Sequence, residues 1–197
     1  PEDLQVLWKE NIVLIHQAKD IDFPRSFIPA GVKSKDIHLV ATCDAATSMC
    51  GTAIYAVVRQ DDGKFIANLV TARSKSCSMT IPRNELDSIV LASETLFCVL
   101  KTLGDRAGDY HILTDSSIAL AWVKNDHKPL KQYVFNRVLH IRRLVNIDKL
   151  FHIAGEENPS DILTRSSKID LEDLGLHGKW QQGPEWLRSP IHDWPIK

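Results

Sequence analysis

The chain has 197 residues, 44% of them hydrophobic and 25% charged, with a formal net charge of −1 and a pI near 6.8. That is enough apolar material for one full core with flanking segments. No run reaches the roughly 18 apolar residues of a membrane-spanning helix, and the near-neutral charge excludes binding to a polyanion by overall attraction, so phosphate contacts must come from local clusters. Cys43, Cys50, Cys77 and Cys98 form no CxxC pair, which points to reduced thiols rather than disulfides or a zinc site. The first residues are Pro-Glu-Asp with no signal peptide, which reads as a fragment or processed piece.

Residues 2–18 carry Leu4, Leu7, Trp8, Ile12 and Ile15 at spacings that one face of a short helix can share. Residues 22–36, with Pro24, Pro29 and Gly31, read as a linker. A β-rich region follows: DIHLVATC (36–43) ending at Asp44, then GTAIYAVVRQ (51–60) and FIANLVTA (65–72) around Asp61-Asp62-Gly63-Lys64. A D-G turn between two such runs is a strong hairpin signal, so three antiparallel strands are predicted.

The stretch from Thr80 to Gly104 dominates the sequence. Leu86, Ile89, Val90, Leu96, Phe97, Leu100 and Leu103 recur at helical spacing, Pro82 suits a helix start and Gly104 a stop. Cys98 falls in this helix as a small apolar side chain, and Glu85 lies near its first turn. DYHIL (109–113) is a fourth strand, and SSIALAWVK (116–124) a helix capped by Ser116 or Ser117. LKQYVFNRVLHIRRLV (130–145) is a helix with Leu130, Val134, Val138, Ile141 and Val145 as its stripe. KLFHI (149–153) is a fifth strand, and PSDILTR (159–165) begins another helix. The tail holds Trp180, Trp186 and Trp194 as packing anchors. The order predicts an α/β fold, a mixed five-stranded sheet with helices on both faces. Residues 1–35 are read as a connection segment, 36–167 as the domain and 168–197 as a Trp/Pro-rich extension packing on it.

Four acids stand at element boundaries: Asp44, Glu85, Asp115 and Asp161. Each can cap its own turn or helix. Gathered at one rim they would repel strongly unless cations neutralise them, and hard carboxylate oxygens suit Mg²⁺ or Mn²⁺. Spacing alone leaves the two readings open.

The ordered motifs Cys43-Asp44-Ala45-Ala46, Pro82-Arg83-Asn84-Glu85-Leu86, Thr114-Asp115-Ser116 and Asn158-Pro159-Ser160-Asp161-Ile162-Leu163-Thr164-Arg165 resemble the RNase H domain of LTR-retrotransposon polyproteins, most closely the Bel/Pao type. Leu7-Trp8-Lys9 with Phe23-Pro24-Arg25 is similar to the connection preceding that domain. The tail Trp180 to Leu187 with Trp194-Pro195 is similar to the segment following it. The resemblance implies an RNase H-like sheet, three antiparallel strands and then two parallel to the first. It implies two Mg²⁺, with Mn²⁺ able to substitute, held by Asp44, Glu85, Asp115 and Asp161. Asp44 would bridge both ions, Asp161 would share the ion that activates water, and Glu85 with Asp115 would complete the other. The implied reaction is endonucleolytic cleavage of the RNA strand of an RNA–DNA hybrid, leaving 5′-phosphate ends. Implied partners are that hybrid and an adjoining reverse transcriptase domain, with no membrane. The implied compartment is a cytoplasmic virus-like particle or the nucleus.

The hybrid would contact Arg73, Lys75, Arg83, Asn84, Ser116, Asn158 and Arg165. Arg137, Arg142 and Arg143 fit a solvated helix face as well as a binding one. Three departures stand out. Asn84 occupies a slot where an apolar residue is usual, as a local adjustment or a nucleic-acid contact; Thr164-Arg165-Ser166-Ser167 replaces the more usual Ser-Arg-Gly; and Gly155-Glu156-Glu157 lacks the His that many such domains carry before the last acid, with His152 lying instead on a strand. The rival expectation is a domesticated copy serving as a nucleic-acid-binding or protein-scaffold module, with a protein partner and dispensable catalysis.

Overall fold

In a computed structural model the described residues are 2–19, 21, 26–28, 37–127, 129–165, 171–175 and 177–197. The predicted linker, with Pro24, Pro29 and Gly31, lies almost wholly outside them, as does Phe23-Pro24-Arg25.

Five strands, β1 (Ile37–Ala45), β2 (Met49–Arg59), β3 (Phe65–Ser76), β4 (Ala107–Thr114) and β5 (Leu150–His152), form one sheet in the order β3-β2-β1-β4-β5. β1, β2 and β3 pair antiparallel, while β4 runs parallel to β1 and β5 parallel to β4. The β2–β3 turn is the predicted D-G hairpin, closed by Gln60 N–H to Lys64 O at 2.8 Å.

Period-2 alternation splits β1 between two cores. Ile37, Leu39, Ala41 and Cys43 face a layer of three helices, α2 (Ile81–Leu103), α3 (Ser117–Lys124) and α4 (Gln132–Leu144). The helix predicted from Thr80 is α2. Leu86, Ile89, Ala92 and Leu96 are fully buried against the sheet, and α4 packs on α2 with Val134, Val138 and Ile141. Two buried hydroxyls inside α2, Ser93 and Thr95, donate to the carbonyls four residues back, which spares them a desolvation cost.

The opposite face of the sheet is covered by the tail, including the short helix α6 (Lys179–Gln182; α5 is Leu171–Leu174) and the 3-10 turns Glu185–Arg188 and Ile191–Asp193. Tyr55, Leu187 and Trp194 are buried there, and Tyr55 Oη donates to Trp180 O at 3.1 Å. Beneath Trp194, His38 Nε2 and His111 Nδ1 share a hydrogen bond of 2.8 Å, and burial with His111 beside it lowers His38 to about 4.

The structure departs from the sequence reading at five places. The helix α1 (Glu2–Ala18) forms, but Leu4, Leu7, Trp8, Ile12 and Ile15 are all exposed, so its apolar face is outside the core. Cys98 is exposed, at a groove between α2 and β3 that Val70 and Thr71 also line. Glu85 is in the second turn of α2, since the N-cap is Thr80, and so it lies past the reach of simple first-turn dipole pairing. Residues Pro159–Leu163 form a 3-10 turn rather than an α-helix. Arg142 is no solvated cation: it donates to Val123 O and Asn125 O, covering the carbonyl end of α3, and pairs with Asp126.

Candidate active site

The parallel register of β1 and β4 sets Cys43 opposite Thr114, so Asp44, still within β1, lies beside Asp115, the first residue after β4. Glu85 approaches from α2 above. Ser116 Oγ donates to Glu85 Oε2 at 2.5 Å while accepting from Ala119 N–H as the N-cap of α3. One hydroxyl therefore ties the second acid to the segment that carries the third.

Asp161 is brought in by close packing. A Cβ on Gly51 would stand 2.6 Å from Leu163 Cβ, so the 159–163 turn lies flush on β2 only because residue 51 has no side chain. Gly51 is the register partner of Asp44. Thr42 and Ser160 hydroxyls share a 2.7 Å hydrogen bond, and Thr164 Oγ1 reaches both the Asp44 carboxylate and Asp161 O (3.1 Å). Asp161 itself pairs with Arg165.

The electrostatics follow from this crowding. Burial first, then the Asp44 and Glu85 carboxylates, push Asp115 up to about 6, against hydrogen bonding from Asn158 that pulls it down. Behind the acids, burial pushes the Cys43 thiol up to about 12, so it is no nucleophile at neutral pH. Among the described residues no three Asp, Glu, His or Cys side chains converge tightly enough to enclose a metal ion. The donor chemistry nevertheless fits a divalent cation. Burial together with the Asp44 and Glu85 carboxylates pushes Asp115 up to about 6, and a hard cation would offset the repulsive part of that cost.

The remaining sequence candidates divide into two groups. Asn84 is fully buried: its amide donates to Ala46 O (3.0 Å) and Thr47 O (3.1 Å) and accepts from Met79 N–H (3.1 Å). It clamps the β1–β2 turn to the start of α2 and has no donor left for nucleic acid. Asn158 is buried too, donating to Cys43 O at 3.0 Å and capping the 159–163 turn. Ser116 is buried and committed to Glu85. Arg73, Lys75 and Arg165 are exposed. Arg83 is half-buried with its guanidinium 4.9 Å from the Tyr133 ring centre, beside a groove of about 490 Å³ lined by Thr80, Ile118, Trp122 and Lys131. His152 is structural: its Nε2 bonds Asp115 O at 3.1 Å. Sequence reasoning marked Thr164 only as a departure from the usual motif, not as a partner of Asp44, and missed Gly51 and Gly155, where a Cβ would stand 3.3 Å from Asp115 Oδ2. Only a glycine inside the second strand hinted at close approach.

A five-stranded mixed sheet in this order, with one acid near the end of β1 and another just past β4, defines an RNase H-like domain. A family model described as Pao retrotransposon-like RNaseH-like domain matches residues 1–116, and the chain belongs to that family. Solved structures similar to it include RNase H1 of the halophilic archaeon Halobacterium salinarum, at 16% identity over 64% of this chain and 92% of that one, TM-score 0.41. LC11-RNase H1, isolated from compost, is similar at 18% identity over 66% and 92%, TM-score 0.45. The N-terminal RNase H domain of rv2228c from Mycobacterium tuberculosis is similar at 12% over 65% and 91%, TM-score 0.46. No curated protein sequence matches the chain. Among the described residues no helix is long and apolar enough to cross a membrane.

Proposed function

We propose that this domain is a metal-dependent endoribonuclease that cleaves the RNA strand of RNA–DNA hybrids during retroelement reverse transcription. The observation that carries the reading is the rim itself: the β1–β4 register sets Asp44 beside the end of β4 that carries Asp115, and Ser116 ties Glu85 to the same segment. Asp44, Glu85, Asp115 and Asp161 would hold two Mg²⁺, with Mn²⁺ able to substitute, which when bound supply an activated water and charge stabilisation at the leaving 3′ oxygen. The protein's own residues do the rest. Thr164 holds the Asp44 carboxylate in place, and Ser116 holds that of Glu85. Arg73 and Lys75, with Arg165 beside its partner Asp161, are exposed cations for the phosphates, and the groove between Arg83 and Lys131 would be a track for one strand. Main-chain groups near Asp44 and Glu85 would read the 2′-hydroxyls that separate RNA from DNA.

One observation favours a second reading. Asp161 is paired with Arg165, a commitment that suits a scaffold or nucleic-acid-binding module whose catalysis is dispensable. Cleavage of a labelled hybrid against the same sequence as duplex DNA, with Mg²⁺ or Mn²⁺, decides between them. RNA-strand cleavage supports the nuclease; hybrid binding without cleavage supports the module.

A further inference from the structure

The loop before the last acid, residues 154–157, lies directly on the acidic rim. Gly155 approaches Asp115 so closely that a Cβ there would be 3.3 Å from Asp115 Oδ2. The loop is a single 3-10 turn, with Glu157 N–H bonded to Ala154 O (3.0 Å) and Asn158 N–H to Gly155 O (3.1 Å). Glu156 and Glu157 point to solvent, so nothing in the loop's own side chains anchors it.

One contact from the tail does, backed by packing within the tail and by pairing of its end with β5. Trp186 Nε1–H donates to Glu157 O at 3.3 Å. Trp186 is seated edge-on against Trp194, ring centres 5.5 Å apart, and Trp194 is buried with its own Nε1–H on Ser189 O at 2.9 Å. The last residues then pair with β5: His152 N–H donates to Lys197 O (3.0 Å), Lys197 N–H to His152 O (2.9 Å), and Ile196 bridges Ile153. His152 in turn holds Asp115 O through its ring at 3.1 Å. The tail thus grips both routes into Asp115, the loop on one side and the end of β5 on the other.

We propose that residues 186–197 are a positioning strap for the acidic rim, and that Trp186 is the positioning residue through which the strap fixes the 154–157 loop against Asp115. Trp186 touches none of the four acids. It acts through Glu157 O, on a loop that its own side chains leave free to lift.

The test is Trp186→Phe in the full chain, which keeps an aromatic ring against Trp194 and removes only the indole N–H and part of the area. Deuterium exchange at the amides of Glu157 and Asn158 should speed up on the order of fivefold, the weight of one hydrogen bond, while the amides of α2 and the thermal midpoint stay as in wild type. The second arm rests on the nuclease reading: on the hybrid, kcat should fall by a similar factor with KM unchanged, because geometry at the acids is lost and nucleic-acid contacts are not. Unchanged exchange at residues 157–158, or a rise spread evenly over the molecule, overturns the strap. So does an unchanged kcat where wild type cleaves. A wild type that cleaves nothing defeats the nuclease reading and leaves the exchange arm to judge the strap alone.

Discussion

Asp115→Asn removes a charge and keeps the shape, which makes it a clean probe of the rim. The native carboxyl titrates at about 6 against an ordinary 3.8. Well below 3.8 it is protonated in both folded and unfolded chains and costs nothing. Between these values the folded state binds the extra proton, so the stability contribution is lost as pH rises and is fully gone above the native value. A shift of some two units would be about 3 kcal/mol at face value; Asp115 is only half-buried, so solvent screening reduces this to ~1–2 kcal/mol. Urea unfolding in EDTA, of wild type and D115N at pH 4 and pH 8, reads it. The gap between the proteins should move in favour of D115N by ~1–2 kcal/mol on going to pH 8. Adding Mg²⁺ at pH 8 should stabilise wild type more than D115N by mass action. A gap that is the same at both pH values would show that Asp115 is not strained by its neighbours.

Gly51→Ala drives a Cβ to 2.6 Å from Leu163 Cβ, so it should destabilise by ~1–3 kcal/mol and lift the Asp161 turn from β1. Leu163→Ala should not rescue it, because the offending Cβ remains; chemical denaturation of single and double variants checks this. Asn84→Leu leaves Ala46 O, Thr47 O and Met79 N–H without their partner, and should cost ~2–4 kcal/mol despite adding apolar area, as read from its urea midpoint. Thr164→Val keeps the volume and frees the Asp44 carboxylate; hybrid cleavage should drop on the order of tenfold with the thermal midpoint little changed.

The strands and helices of the central domain were legible because their periods are local. The D-G turn, the 3.6-residue stripe of α2 and the alternation of β1 each fix their own element. The acids were legible as boundary residues. What joins them was not. Thr164 to Asp44 spans 120 positions, and nothing within either motif announces the contact. Asn84 misled for the opposite reason. A polar residue in an apolar slot left a local adjustment and a nucleic-acid contact both open, and its amide crosslinks a turn 38 residues away, as the first of these. The period of α1 gave its helix correctly but said nothing of burial, since periodicity cannot report whether a second surface is there to meet the stripe.

The central claim is that Asp44 and its neighbours are a working nuclease site, and a labelled RNA–DNA hybrid incubated with Mg²⁺ or Mn²⁺ tests it directly. Wild type should cut the RNA strand to 5′-phosphate products, and Asp44→Asn should cut on the order of a thousandfold less, with its thermal midpoint retained. Equal background from both proteins, unaffected by the metal, would contradict catalysis at this rim.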